Sequence, residues 1–380
     1  MEGFGEQSPG RCVDTSISDN SVQAFIPSPL PPNRVDWGSL TPLISEVSYK
    51  MGKLSSKLEN RTDVPMSGLH VQEAATSLQI EGIDTSVSEV AAARSQVTDR
   101  VTFVSDEART LGLPYVTALE SSYTEVTTDL VQELHANLFN DLSEQRKEEI
   151  LPGKFRDIQN FIGSKHRVRY VPSPPKDVPL LIDSLTKYLR VRQQRSIPVV
   201  VALAHYQFEA IHPFIDGNGR VGRLLIPALF DAYDYIPQNV LGLSPFFKRR
   251  RQKYYRHLLA VSRDGAWEDW LEFCLDGLSI QCTRVESYIE SIDEVKDEFL
   301  EVTNELPESR RIVALKLLDT PFITPQQASV IADCSDTVGY DIIGDLADCG
   351  VLRQCSEKQR NTAYYCPDVL DVWDDYPFTY

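Results

Sequence analysis

The sequence predicts a mainly α fold with one short β-hairpin in its helical core and a C-terminal winged helix-turn-helix domain. Three observations predict it. Apolar residues recur at helical spacing from Trp37 to Leu58 and through most of residues 120–280. Inside that core, KFRDIQNFIGSKHRVRYVPSPP (154–175) alternates apolar and polar residues and ends in prolines, which marks a hairpin. From about residue 305, three short helical patterns are followed by VLRQCSEKQRNTAYYC, a second hairpin.

Residues 1–33 are rich in Ser, Pro and Gly and end in PSPLPPNR, so an extended or disordered arm is expected. Residues 34–110 read as an N-terminal helical region. Leu40, Leu43, Ile44, Val47, Met51 and Leu54 share one face of its first helix. A second helix, over about 70–82, stops at Gly82. A third starts at Ser86, which has capping-box spacing to Glu89. Residues 111–300 hold the hairpin and then PVVVALAHYQFEAI, which Pro198 opens in the first helical turn. Arg220 begins the next helix, and 267–304 read as further helices. Residues 301–380 form the last domain. It holds a helical pattern at 309–318, a helix with Thr324 as N-cap and Pro325 in its first turn, and a third helix from Ser335 to Gly350.

The 380 residues suffice for two or three domains. Composition is that of a globular protein, 42% hydrophobic and 24% charged. The net charge of −17 argues against sequence-independent nucleic-acid binding and against anionic membranes. Seven scattered cysteines form no zinc pattern, and Cys274, Cys334 and Cys349 read as buried thiols, so a cytoplasmic location is expected. The opening MEGFGEQSPGR has no signal-peptide pattern, and no apolar run reaches the roughly 20 residues needed to span a bilayer.

The chemistry concentrates in EAIHPFIDGNGRVGRLL (209–225). Gly217, Asn218 and Gly219 precede a helix, where backbone N–H groups and the helix dipole attract an anion. Arg220 and Arg223 lie three apart in the first turn, where cations oppose the dipole unless an anion compensates them. Two phosphates fit this arrangement better than one carboxylate. Asp216 beside an anion site calls for a cation between them, and Mg²⁺ takes one or two carboxylates plus phosphate oxygens. His212 ends the preceding helix and can accept a proton from a hydroxyl. His205 has no such neighbours and reads as core, and Phe214 reads as an inward anchor. Structural readings stay open beside these: arginines paired with surface acids, and an aspartate that caps the turn. Taken together, the residues read as a nucleotide-polyphosphate site with a base beside it.

HPFIDGNGRVGR resembles the signature of Fic-domain proteins, His-x-Phe-x-(Asp/Glu)-Gly-Asn-Gly-Arg-x-x-Arg, at every defined position. The likeness extends over roughly 35–290. It implies a Fic-type helical core and transfer of AMP from ATP to a Ser, Thr or Tyr hydroxyl of a target protein, with Mg²⁺. His212 would be the general base and Asp216 the metal ligand. Gly217, Asn218 and Gly219 would form the anion cradle, Arg220 would support the phosphates, and Arg223 would meet the γ-phosphate. Val221 and Gly222 fall within the same nucleotide-binding stretch. The 154–175 hairpin resembles the family's flap, with Ile162 and Gly163 near the nucleotide. Such a flap docks a target by backbone pairing. Tyr254 and Tyr255 match the aromatic pair by the base, one lining the pocket and the other packing in the core.

A second pattern lies upstream. Gly82 as C-cap puts Glu81 in a last turn, where a carboxylate opposes the dipole and a cation would relieve it. SLQIEG resembles the family's inhibitory pattern, (Ser/Thr)-x-x-x-Glu-(Gly/Asn), through Ser77 and Glu81. The resemblance implies an intramolecular brake in which Glu81 pairs with Arg223. It leaves open AMP removal and transfer of another nucleotide. A DNA-binding regulator is the competing reading. However, the third C-terminal helix carries Asp336, Asp341, Asp345 and Asp348 and no Lys or Arg, which favours protein contact or a homodimer over nucleic acid.

Overall fold

The computed structural model describes residues 4–17, 20–61, 63–164, 167–191, 196–355 and 362–374. The chain starts with a hairpin of β1 (Gly10–Ile17) and β2 (Asn20–Pro27). Helices α1 (Trp37–Glu59), α2 (Ser67–Ile80), α3 (Val87–Arg94), α4 (Leu113–Leu119), α5 (Thr128–Leu138) and α6 (Glu144–Ile150) follow. A second hairpin, β3 (Ile162–Ser164) and β4 (Arg167–Tyr170), precedes α7 (Val178–Arg190), α8 (Ile197–Ile211) and α9 (Asn218–Ala232). Then come α10 (Ser244–Arg249), α11 (Arg251–Asp264) and α12 (Trp267–Val302). The C-terminal elements are α13 (Glu308–Leu317), β5 (Phe322–Ile323), α14 (Pro325–Ile331), α15 (Asp336–Asp348), β6 (Arg353–Gln354), β7 (Tyr364–Tyr365) and α16 (Pro367–Asp374). The fold is thus mainly helical. The chain divides into two compact units, residues 1–57 with 121–282 and residues 58–120 with 283–380.

In the first unit, α8 is the central element. Pro198 sits in its first turn, and every residue from there to Ile211 is buried. Such an all-round apolar run needs neighbours on several sides. α7, α9, α11 and β2 supply them. The N-terminal segment differs from expectation. Residues 10–17 and 20–27 are not a disordered arm but paired antiparallel strands, in register from Gly10↔Pro27 to Ile17↔Asn20. Phe25 explains the difference. It is fully buried, stacks on Phe4 at 5.0 Å and meets Tyr170 at 6.1 Å. Its N–H donates to the Val171 carbonyl at 2.9 Å, which ties β2 to the end of the second hairpin. A composition rich in Ser and Pro hides this one aromatic anchor.

In the second unit, α2 is buried along nearly its whole length, polar residues included. α16 packs on α2 and α3, and Gly68 is the close-approach point. A Cβ there would lie 2.5 Å from the Trp373 ring. The expected capping box of Ser86 with Glu89 forms, and Thr324, expected as an N-cap, forms a second box with Gln327. β5, β7 and β6 make a three-stranded antiparallel sheet in that order, and α13, α14 and α15 pack on one another. Residues 356–361 of the expected C-terminal hairpin lie outside the described residues. Residues 267–302, read as several helices, form one helix of 36 residues. It tolerates Gly277 because a Cβ there would meet Phe246 at 2.8 Å. Cys274 is buried as expected, whereas Cys334 and Cys349 are only half-buried.

Candidate active site

The site lies in the first unit, on the loop that turns α8 into α9. α8 ends because His212 adopts the left-handed conformation (φ 53°), while its N–H still donates to Phe208 O at 3.0 Å. Such a φ costs a non-glycine residue about 1–2 kcal/mol, so the surroundings must enforce it. Gly217 restarts the chain as the N-cap of α9, also left-handed (φ 78°). A Cβ there would sit 2.6 Å from the Phe139 ring, so glycine is required twice over. Between them, Asn218 clips the loop shut. Its Oδ1 accepts from Phe214 N–H at 2.8 Å and its Nδ2 donates to Phe214 O at 2.9 Å. Phe214 is fully buried, as expected. The side chain of Asn218 is therefore part of the loop's brace. What remains for an anion is the backbone: the first-turn N–H groups of α9 have no acceptor within the helix.

Asp216 is the half-exposed carboxylate of the loop. Its Oδ1 accepts from Gly217 N–H at 2.6 Å and from Arg220 at 3.3 Å. Among the described residues no cluster of three or more His, Cys, Asp or Glu could hold a metal by itself. A hard cation here would take one carboxylate plus oxygens of a bound anion, which is a coordination Mg²⁺ accepts. His135 on α5 fixes this carboxylate's backbone. Gly153 N–H donates to Nδ1 at 2.8 Å, so Nε2 carries the proton and donates to Asp216 O at 3.0 Å. The ring stacks on Phe214 at 3.8 Å, and burial pulls its pKa down to about 4.

Arg220 and Arg223 are 4% and 1% exposed, so neither is a surface arginine. The Arg220 guanidinium lies 4.6 Å above the Phe139 ring. Behind Arg223, His205 is buried as expected. Its Nδ1 donates to Gly222 O at 2.9 Å and its Nε2 accepts from Tyr254 O–H at 2.9 Å. Burial, with the Arg223 charge adding to it, lowers its pKa to about 3. The two tyrosines differ in burial. Tyr254 is 1% exposed and belongs to the core, while Tyr255 is 38% exposed, with the Arg251 guanidinium 5.7 Å from its ring. Val221 is fully buried, and Gly222 lies against α8, where a Cβ would meet Glu209 at 2.4 Å.

The second hairpin stands beside this loop. It is shorter than the 154–175 segment, and its register shifts between Ile162 and Gly163, where Gly163 takes φ 125°. Asn160 Nδ2 donates to Phe214 O at 3.1 Å, and Tyr170 O–H donates to Ala210 O at 2.9 Å. Its tip, Lys165 and His166, lies outside the described residues. Ser77 and Glu81 belong to the second unit. Glu81 is the exposed C-cap of α2, and the end is a Schellman turn: Ile83 N–H donates to Leu78 O and Gly82 N–H to Gln79 O.

Sequence reading missed two side chains next to this loop, His135 and Arg156. Both bond to backbone carbonyls dozens of residues away, and only the run HANLF near His135 carries even a faint local aromatic signal.

The arrangement is a histidine at a helix C-terminus, a helix N-terminus whose first N–H groups lack helical acceptors, and a hairpin alongside. Residues 125–230 match the Fic/DOC family. It is 29% identical over 231 residues to a "Protein adenylyltransferase Fic" of Drosophila persimilis, covering 58% of this chain and 39% of that one. The corresponding protein of Drosophila ananassae is 31% identical over 199 residues, 52% of this chain and 34% of that one. The chain thus spans well under half the length of these relatives. A Fic family protein from Desulfovibrio desulfuricans shares the fold over 89% of this chain and 98% of its own, with TM-score 0.58 and 16% identity. Fic-1 from C. elegans aligns over 67% of this chain and 74% of its own, with TM-score 0.51 and 17% identity.

Proposed function

We propose that the chain is a protein adenylyltransferase that moves AMP from ATP to a hydroxyl side chain of a target protein. The observation that supports it most is the loop 212–218: one braced turn carries a histidine at one end and an anion-binding helix start at the other. His212 removes the proton of the acceptor hydroxyl as its oxygen bonds to the α-phosphorus. The bond from that phosphorus to the β-phosphate oxygen breaks, and pyrophosphate leaves. The α9 N–H groups, Arg220 and Arg223 hold the phosphates, and preorganised donors of this kind stabilise the charge of the transition state. Asp216 would hold Mg²⁺, which supplies charge neutralisation on the phosphates. The second hairpin would align an extended target segment by backbone pairing, with Ile162 and Gly163 near the nucleotide, and Tyr255 is the aromatic available to the base.

The reading includes a brake. Glu81, at the end of a nearly wholly buried helix, would compete with a phosphate for Arg223, with Ser77 in the same pattern. The C-terminal elements support a winged helix-turn-helix. Its acidic α15 fits a basic protein surface rather than DNA, since no cation on that helix offsets phosphate repulsion.

The test is incorporation of AMP from α-labelled ATP into a lysate and into the chain itself. Glu81→Gly should raise incorporation at least about tenfold, the scale set by freeing one charged phosphate contact. His212→Ala should abolish it. Retained incorporation in His212→Ala would overturn the reading. An unchanged rate in Glu81→Gly would remove the brake alone.

A further inference from the structure

Arg156 is one of the largest fully buried side chains in the chain, 2% exposed. No carboxylate pairs with it among the described residues, and all of its side-chain hydrogen bonds go to backbone carbonyls. Nε donates to His212 O at 2.8 Å. Nη2 donates to Ser173 O at 2.5 Å and to Ile211 O at 3.3 Å, and Nη1 donates to Ile158 O at 3.2 Å. Its own N–H donates to Pro213 O at 2.9 Å. Burying a guanidinium without a counter-charge is costly, and burial lowers its pKa to about 10. The compensation is local. α8 ends here with carbonyls that lack helical donors and carry partial negative charge, which suits a cation.

The four acceptors belong to two structures. Ile211 and His212 are the end of α8. Ile158 and Ser173 are the two roots of the hairpin, one before β3 and one after β4. A rigid planar fork that reaches both fixes their separation, which a flexible ammonium cannot do.

We propose that Arg156 is a positioning residue for the transfer, locking the backbone of the general base His212 to both roots of the hairpin that presents the acceptor hydroxyl. This rests on the adenylyltransferase reading, because it assigns His212 and the hairpin the two halves of one reaction. Misplacing reacting groups by about 1 Å costs on the order of 100-fold in rate. Loss of the fork should therefore act on the rate of transfer and leave nucleotide binding intact.

The experiment compares Arg156→Lys and Arg156→Gln with the parent chain and His212→Ala, all full-length. Three quantities are read: the rate constant for self-incorporation of AMP at saturating ATP, the Kd for ATP by calorimetry, and amide hydrogen exchange by mass spectrometry. We expect Arg156→Gln to lose about 30-fold or more in rate and Arg156→Lys to recover only part of it, with Kd for ATP within about twofold. Exchange should quicken together in 158–173 and 211–213, while the body of α9 keeps its protection. Parental rates in both variants would overturn the proposal. So would a parallel loss of ATP binding and of protection throughout α8 and α9, which would make Arg156 a plain core residue. If Arg156→Gln fails to fold, Arg156→Lys still decides between these outcomes. Full activity of His212→Ala would instead sink the adenylyltransferase reading on which the proposal stands.

Discussion

Acid should weaken the first unit through one buried histidine. His205 is held neutral between Gly222 O and Tyr254 O–H and is packed among rings, with Phe247 at 5.5 Å and Trp270 at 6.0 Å. Its pKa falls from 6.5 to about 3, chiefly because burial penalises the imidazolium and further because Arg223 repels it. The folded pKa lies below the unfolded one. The neutral folded form is therefore fully favoured above pH 6.5, and that advantage is lost as pH falls from 6.5 towards 3. At about 1.36 kcal/mol per pH unit the whole window is on the order of 5 kcal/mol, and the accessible part from 6.5 to 4.5 on the order of 3 kcal/mol. His205→Gln keeps a donor and an acceptor but cannot take up the proton. Urea unfolding followed by tryptophan fluorescence, from pH 7.5 to 4.5, gives the stability difference between parent and variant. Other titrating groups, His135 among them, cancel in that difference. The variant's deficit at neutral pH should shrink by close to 1.4 kcal/mol per pH unit below 6.5. A deficit that stays constant across the range would refute the assignment of a neutral, buried His205.

Gly217→Ala should cost about 2–5 kcal/mol in stability, from a left-handed φ and a Cβ forced against Phe139, and ATP affinity should fall with it. Thermal melting and titration calorimetry measure the two effects, and an unshifted melting point would contradict the geometry. Ser86→Ala removes the hydroxyl that accepts from Glu89 N–H, while Ser86 N–H keeps its bond to the Glu89 carboxylate, and should cost about 1 kcal/mol, seen as a modest drop in Tm. Removing divalent cations with a chelator should stop AMP incorporation and leave the melting curve unchanged, with Mg²⁺ restoring the rate. A chelator-induced fall in Tm would point to a structural metal instead.

What was legible in the sequence was local. The Ser86 and Thr324 caps, the glycine at the end of α2 and the turn from His212 to Arg223 each depend on residues within about a dozen positions, so spacing alone could place them. The mainly helical class followed from periodicity, which is also a local property. The N-terminal hairpin was not legible in this way. Ala24, Phe25 and Ile26 are an apolar island in a Ser- and Pro-rich stretch, and their burial depends on Tyr170 and Val171, far along the chain. Composition averages such an island away. Asn218 was half legible: its position identified the loop, but its amide serves Phe214 rather than an anion.

Arg156 shows where the limit falls. In sequence it stands in KFRD beside Asp157, and charge pairing with a neighbouring acid is the natural reading. In the structure Asp157 is exposed while Arg156 is buried and bonds to backbone carbonyls, so the pair that sequence would join does not form. The stronger demand comes from the end of α8, where the chain turns at His212 and leaves carbonyls inside a closed core without helical donors. Leaving one such acceptor unsatisfied costs about 1–3 kcal/mol, and a guanidinium answers several of them at once. No periodicity announces that demand, because it exists only once α8, the loop and the hairpin roots have met. A motif names the groups that touch substrate. The groups that hold the motif in place answer to backbone acceptors, and these become visible only in three dimensions.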